Sequence, residues 1–518
     1  TEAIENTYRQ LWGSRSNFFV DDLSYRYLNA GEAAQQNTGS GSGWSMFSLF
    51  AKVNYSFNDK YLVDFTIRRD GSSRFGPENR FAVFPAFSVG WRISGESFMS
   101  GVSWTDDLKL RVGWGQMGNQ NIAADNQYST YRTHPWESSY DIAGSNTATV
   151  AGFDTGRFGN PFGQWETTTT LNAGFDWTMF NNKLTVNFDW YDRVTTDMLF
   201  TLTLPGTQGN ASAPAQNVGE MKNTGIDLNV AYNGASASGD FTYTIGFNFS
   251  QYNNEVVALS DNTASTLLGP SLRQQRYTRS VAGEPYMSMW VKEIIGFTDG
   301  SESYWNEAGE YVSDIYPGYY NYISQYGEGV GRFKFKDQNG DGVINDEDDT
   351  FIGNPHPDFF YGLNAAFTFK NFDLTLFFQG VQGNDLINYV SRWIDFVQFQ
   401  GNRSVKMYEK SWTPELGDAA ELPVLSSSDN LSYASNSYFV QDGSYFRMKN
   451  LMFGYTFPNL KGIDRLRIYF QGVNLFTVTN YEGLDPEVNI AGPGDNASLG
   501  IDQGIYPTSR QFIFGLNF

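Results

Sequence analysis

Cysteine is absent from the 518 residues, and histidine is nearly so, with only His134 and His356. The first absence excludes a disulfide framework, a cysteine zinc site and a thiol nucleophile. The second argues against a histidine-based metal enzyme, and both histidines sit beside proline, as His134-Pro135 and Pro355-His356-Pro357, in settings that read as turns. Basic residues are scarce: 35 Lys and Arg face 56 Asp and Glu, a net charge of −21. Nucleic acid selects basic patches, so nucleic-acid binding is disfavoured. No long uninterrupted apolar run exists, which excludes membrane-spanning helices. Thr1-Glu2-Ala3-Ile4 has neither the basic start nor the apolar core of a signal peptide. Such a start suits a cytoplasmic chain, a processed one or a piece of a longer one, and the strand pattern favours the last. Gly-x-Ser-x-Gly, Walker and Rossmann fingerprints are also missing. With carboxylates plentiful but scattered, the reading is that the chain is not an enzyme.

What is present points to β structure. Aromatics make up 17% of residues, glycine numbers 53, and all hydrophobics reach only 40%. Apolar and polar residues alternate with period two. Leu108, Leu110, Val112 and Trp114 alternate with Lys109, Arg111 and Gly113. Leu184, Val186, Phe188 and Trp190 alternate with Thr185, Asn187 and Asp189, and the tracts from Phe372 and Leu466 behave alike. One face is apolar and the other polar or charged, as in strands that meet two solvents. Roughly thirteen such strands are expected, the first starting near Met46, each close to the length that a tilted strand needs to cross a bilayer.

The connections alternate in length. Short turns are expected at Asn58-Asp59-Lys60, Asn181-Asn182, Gly234 to Gly239, Lys370-Asn371 and Pro458 to Gly462. Long inserts run from Gly118 to Gln164, Thr196 to Glu220, Tyr252 to Asp358, Gly383 to Ser444 and Val478 to Arg510. An outer-membrane barrel puts short turns on its periplasmic side and long loops outside. The expected fold is therefore an all-β transmembrane antiparallel barrel, with loops extracellular and the C-terminus periplasmic. Phe512, Phe514, Leu516 and Phe518 supply the alternation of a last barrel strand. Counting back from it, residues 1–45 are expected as an extracellular loop segment and 46–518 as the barrel portion. An odd strand count cannot close alone, because an open edge in lipid leaves backbone groups unpaired. Further strands must come from upstream sequence or another polypeptide.

The sharpest local motif is Asp337-Gln338-Asn339-Gly340-Asp341-Gly342-Val343-Ile344-Asn345-Asp346-Glu347-Asp348, inside the long loop 252–358. It follows the spacing of an EF-hand calcium loop. Ligands are expected from Asp337, Asn339, Asp341, the Val343 carbonyl and Asp348, with Ile344 turned inward. Asp348 stands where a longer glutamate is usual, and Gly331 to Phe335 reads as extended, so helical flanks are not expected. Structural calcium is the cofactor expected. Aromatic clusters at Tyr304-Trp305, Tyr316, Tyr319-Tyr320-Tyr322, Trp393, Phe396 and Phe399 fit loop packing better than ligand stacking. Trp91, Trp177, Trp190 and Tyr455 are expected in the interfacial girdle. Loops of this length are expected to order against a partner.

A series of ordered tracts adds a family likeness. It includes Asp59-Lys60-Tyr61, Arg68-Arg69-Asp70-Gly71-Ser72-Ser73-Arg74-Phe75-Gly76, Phe84-Pro85 with Gly90-Trp91-Arg92, and the Asp337 to Asp348 loop followed by Ile352-Gly353-Asn354-Pro355. Tyr445-Phe446-Arg447-Met448-Lys449-Asn450, Gln471-Gly472-Val473-Asn474-Leu475-Phe476, Asp485-Pro486-Glu487 and Tyr506-Pro507 with Arg510 complete it. In these the chain resembles the C-terminal portion of SusC/RagA-type TonB-dependent outer-membrane transporters. The resemblance implies a barrel of about 22 strands filled by a plug. It also implies a SusD-like lipoprotein lid, drive from the TonB complex acting on a plug-bearing N-terminal portion, and oligosaccharide cargo, or peptide within the same family. The plug and first strands have no counterpart here. Other readings are a passive porin or adhesin, and a secreted β-rich glycan-binding protein. Substrate contacts stay unassigned.

Overall fold

The computed structural model describes all residues except 19–21, 29, 124–125, 135–151, 202–206, 208, 210, 260–265, 300–303, 306–310, 313–329, 343, 428, 430, 461–462 and 489–497. One antiparallel sheet of 14 strands dominates it, and each strand pairs with its neighbours in sequence. The strands are β1 (Glu2–Phe18), β2 (Gly31–Phe57), β3 (Tyr61–Ser72), β4 (Phe81–Arg92), β5 (Thr105–Asn119), β6 (Glu166–Met179) and β7 (Leu184–Thr201). They continue as β8 (Ala215–Ala235), β9 (Phe241–Leu259), β10 (Phe359–Phe369), β11 (Phe372–Gln382), β12 (Tyr445–Leu460), β13 (Ile463–Thr479) and β14 (Gln511–Asn517). Among the described residues β1 and β14 do not pair with each other, so the sheet keeps two edges.

Register fixes the faces. On β3 exposure alternates strictly from Tyr61 to Arg69, with the odd positions exposed. Phe65 pairs with Phe87, Val89 with Val112, Leu110 with Phe175 and Phe175 with Phe188. The row continues as Phe188–Leu228, Leu228–Phe249 and, further on, Phe453–Phe470 and Phe470–Phe514. One apolar face thus runs across the sheet. It is the more exposed face: Val53, Phe65 and Val112 are 61%, 44% and 48% accessible. Alternating side chains buried as a dry core would show the opposite. Exposure of large apolar residues in register is what a lipid-facing wall presents.

Links fall on the sides that their lengths require. Three short turns use left-handed backbone at Asn58 and Asp59, at Asn181 and Asn182, and at Lys370, as tight turns between twisted strands demand. Aromatic residues gather at the short-turn end: Trp104 meets Trp177 at 5.3 Å and Phe180 at 6.2 Å, and Phe372 meets Tyr455 at 4.7 Å. Trp91 Nε1 donates to Glu96 Oε1 at 3.2 Å. Trp190 pairs with Ala173 and Ile226 within the sheet.

Residues 1–45, expected as a loop segment, are paired strand over most of their length. They form most of a long hairpin, β1 against the first part of β2. Glu2 is level with Ser48, and Ser48 with Asp70 at the outer end of β3. The hairpin therefore rises on the long-loop side, and the sheet has one more strand than expected. Gly39-Ser40-Gly41-Ser42-Gly43 lacks the apolar alternation that marks a strand bathed by two solvents, which is why pattern alone misses it.

The described parts of the long links share an apolar core. Met289, Val291, Phe333 and Ile344 from link 260–358 pack with Ile387, Leu422 and Phe439 from link 383–444 and with Ile501 from link 480–510. All are nearly or fully buried, and each such burial stabilises by about 1.5–3 kcal/mol. Three separate links thus share one apolar core and form a crown over the long-loop end. Val291 and Phe297 belong to short crown strands, Ser288–Lys292 and Ile294–Phe297, outside the wall.

Candidate functional site

The inner face of the wall is polar and charge-paired. Arg111 on β5 reaches two strands: Nε donates to Asp176 Oδ2 at 2.9 Å, and Nη1 to Asp189 Oδ1 at 2.9 Å. Its Nη2 touches both carboxylates at 3.0 Å. Lys109 joins Asp176 at 2.8 Å. On the far side Arg467 Nε meets Asp373 Oδ1 at 2.9 Å. At the hairpin, Arg68 Nε meets Asp70 at 2.7 Å and its Nη2 meets Glu2 at 3.1 Å. Period-two alternation puts these charges opposite the apolar band, and each cation meets a carboxylate on its own strand or within two strands of it. Asn172, Asn248, Asn364 and Gln471 share this face, so the wall offers both donors and acceptors to a hydrated solute.

Where wall meets crown, Arg447 is buried at the outer end of β12. Its Nη2 donates to Asp485, Nη1 to Glu487 at 2.8 Å and to Thr508 at 3.1 Å, and Nε to Thr477 at 2.8 Å. The partners lie on both ends of link 480–510, so one guanidinium closes that loop. Burial raises the Asp485 carboxyl, but hydrogen bonds from Arg447, Thr508 and backbone N–H groups outweigh it and hold it down at about 2. Sequence reading missed this node; the signal was the tract Tyr445 to Asn450 followed by Asp485-Pro486-Glu487. Nearby, His356 is held between Tyr252 Oη at 3.2 Å and the Tyr286 carbonyl at 3.0 Å. Burial depresses its pKa, against the bond to Tyr286. It is a neutral structural ring on a polar cleft of about 280 Å³ that Glu255 and Asp358 also line.

Residues 2–382 match the family model described as "TonB dependent receptor-like, beta-barrel". The chain belongs to this family. TonB-dependent receptor P3 of Formosa agariphila is 33% identical over 98% of the chain and 48% of the relative. TonB-dependent receptor SusC of Bacteroides thetaiotaomicron is 30% identical over 91% of the chain and 43% of the relative. Among solved structures, the RagAB peptide importer in its "closed-closed" state superposes with a TM-score of 0.78 at 25% identity, over 99% of this chain and 52% of that one. The chain thus spans about half the length of the relatives it matches.

On this TonB-dependent receptor barrel the calcium-type loop lies in the crown. Asp337 accepts the backbone N–H of Gly340 at 2.7 Å and of Gly342 at 2.8 Å. Asn339 accepts from Asp341 N at 2.9 Å, and its amide donates to Asp341 Oδ2 at 3.1 Å. Gly340 and Gly342 both take left-handed backbone, and Ile344 is 1% accessible and plugs the crown core, as its place in the motif requires. Asp348, at the twelfth position of the motif, is turned into the loop. It is fully buried, and its two oxygens accept the backbone N–H of Gln338 at 2.9 Å and Asn345 at 2.8 Å. Lys292 holds Asp349 at 2.7 Å and Asp346 at 3.3 Å beyond it. Among the described residues no three carboxylates or imidazoles converge on one point. The donor set fits a calcium ion only through Asp337, Asn339 and Asp341 together with amide and carbonyl oxygens. Val343 lies outside the described residues.

The aromatic clusters divide. Trp393, Phe396 and Phe399 are packing groups: Trp393 meets Phe399 at 4.6 Å, and Phe396 meets Phe439 at 5.8 Å. Tyr316, Tyr319, Tyr320 and Tyr322 lie outside the described residues, as do the side chains of Tyr304 and Trp305.

Proposed function

We propose that the chain forms the C-terminal wall of a SusC/RagA-type importer in the bacterial outer membrane. The carrying observation is a sheet with two faces and two open edges, apolar outside and charge-paired inside, in a chain half the length of its relatives. An open edge in hydrocarbon leaves a row of backbone N–H and C=O groups unpaired, at several kcal/mol each. The remainder of such a transporter would supply the closing strands and a plug, and TonB would act through the plug. Loops then face outward and the C-terminus faces the periplasm. A SusD-like surface lipoprotein over the crown is part of the reading. The cargo is an oligosaccharide, supported by the amide-lined inner wall, whose paired donors and acceptors suit sugar hydroxyls. Peptide cargo is the second reading, since the RagAB peptide importer shares the fold over nearly the whole chain. No covalent chemistry is assigned to the chain. A passive porin and a secreted glycan-binding protein are weaker readings, given the family and the exposed apolar band.

The Asp337–Asp341 segment is proposed as a structural calcium site that stiffens the crown. Its support is the doubly accepting Asp337, the Asn339–Asp341 contact and the two left-handed glycines.

Uptake by cells carrying the intact transporter tests the main reading. Labelled oligosaccharides and peptides of equal mass are offered with and without an uncoupler. Energy-dependent uptake of one class supports an importer and names the cargo. Uptake that persists without a proton gradient points to a pore and sinks the proposal.

A further inference from the structure

One arginine stands on the wrong side of the wall. Arg69 belongs to the exposed face of β3, in line with Val63, Phe65 and Ile67. Its register partners are Leu49 on β2 and Val83 on β4, 41% and 49% accessible. Arg68, one residue earlier and on the inner face, has two carboxylate partners. Arg69 has none among the described residues; its guanidinium stacks on the Phe81 ring at 4.4 Å. That ring lies across Gly71, where a Cβ would sit 2.2 Å from it. The position is thus built so that the aromatic platform can lie flat beneath the cation.

Beside this platform the wall opens into a groove of about 510 Å³, lined by Ile4, Glu5, Phe47, Gly71, Arg80 and Phe81 among others. Arg80 Nε is buried and lacks a hydrogen-bond acceptor. Glu5 is the one carboxylate in that lining, and it joins neither arginine in an ion pair among the described residues. In a chain of net charge −21, two arginines without a carboxylate partner among the described residues are a departure; Arg69 is level with Val83 and Arg80 with Ser72, three residues further out along β3. A cation at the edge of a lipid-facing band is costly unless a counter-charge meets it there. Among the described residues no acid does so, and the outward direction leads to the lipid headgroups.

We propose that Arg69 and Arg80 form a site for a phosphate-bearing lipid headgroup of the outer leaflet, with acyl chains laid along Phe47 and Phe81. The proposal rests on the reading of the outward face as lipid-facing. Arg69 offers the forked donors that phosphate oxygens accept in pairs. Its cation–π contact with Phe81 fixes the fork without neutralising it.

The test uses the intact transporter, purified in a neutral detergent and titrated with a phosphate-bearing lipid in mixed micelles, with native mass spectrometry as the readout. Arg69→Gln should weaken lipid retention about fivefold, the scale of one surface cation against an anionic headgroup. Arg69→Lys should keep most of it, and Phe81→Ala should lose part. Lys222→Gln removes an outward cation already paired with Asp192 at 3.1 Å and should change nothing. Equal retention by wild type and Arg69→Gln overturns the proposal. So does displacement of the lipid by inorganic phosphate alone at equal concentration, which would mark a free-anion site. A protein that carries no detergent belt fails before lipid is added, which separates loss of the barrel reading from loss of this site.

Discussion

Arg447 and Asp485 are side chains at 2% and 4% exposure that meet as an ion pair between the wall and the last long loop. Removing one partner strands the other in a buried place, which typically costs about 3–5 kcal/mol. Arg447→Met should therefore release link 480–510 while the fourteen-strand wall persists. Limited proteolysis in detergent should cut that link in the variant and spare it in the wild type. Cleavage spread evenly over all loops would show that the node does not hold this loop in particular.

The same pair sets a pH dependence. The Asp485 carboxyl is held at about 2 in the fold, below its ordinary 3.8. A lowered carboxylate contributes stability above its ordinary value and loses it as pH falls toward the folded one. Protection of link 480–510 against hydrogen exchange should thus be constant at neutral pH and decline between about pH 4 and about pH 2. Asp485→Asn should flatten that decline. A decline centred near pH 6 would point to another group.

On the inner wall, Arg111 keeps Asp176 and Asp189 apart as charges. Its side chain is 30% exposed, so solvent screens the pairs and each contributes only about 1 kcal/mol. Deleting it adds repulsion between two carboxylates. Arg111→Gln should lower the temperature at which the folded band is lost in unheated gels, and Arg111→Gln with Asp176→Asn and Asp189→Asn should recover most of the loss. Additive losses in the triple variant would mean that these charges act independently.

In the crown, two substitutions separate packing from cation binding. Ile344→Ala empties a fully buried position and should destabilise the crown by about 2–5 kcal/mol with or without calcium. Asp337→Asn with Asp341→Asn should leave the apolar core intact and abolish heat release on calcium titration. Unchanged calorimetry in the double variant would remove these residues from any cation site.

Strand alternation, the sides taken by the links and the inward turn of Ile344 were legible because each follows from a local period or a local motif. Leu108 to Trp114 reads as one strand in sequence and in structure. The β1–β2 hairpin was not legible, since Gly39 to Gly43 meets water on both faces and carries no period. The Arg447 node joins residues about forty positions apart through loop closure, and no local pattern marks such a contact. Asp348 was read by motif position alone, yet its burial turns both oxygens to backbone caps. Crown packing was underestimated for a related reason: Met289, Leu422 and Ile501 come from three separate links with no shared local period, and only the fold brings them together.

The two-solvent wall makes the sharpest prediction, because adjacent residues must differ. Phe65 and Thr66 are neighbours on β3, but Phe65 faces Phe87 on the apolar side and Thr66 faces Ala86 on the other. Phe65 is 44% accessible, and nothing in a soluble protein penalises a charge at so open a position. In a bilayer the same substitution buries a cation in hydrocarbon, at about 2–4 kcal/mol near the midplane. Phe65→Arg should therefore reduce assembly into liposomes and lower the urea midpoint of the inserted protein. Thr66→Arg points into the hydrated interior and should cost far less. Equal effects at the two positions would mean that both faces meet the same medium, and the lipid-facing assignment of the whole apolar row would go with it.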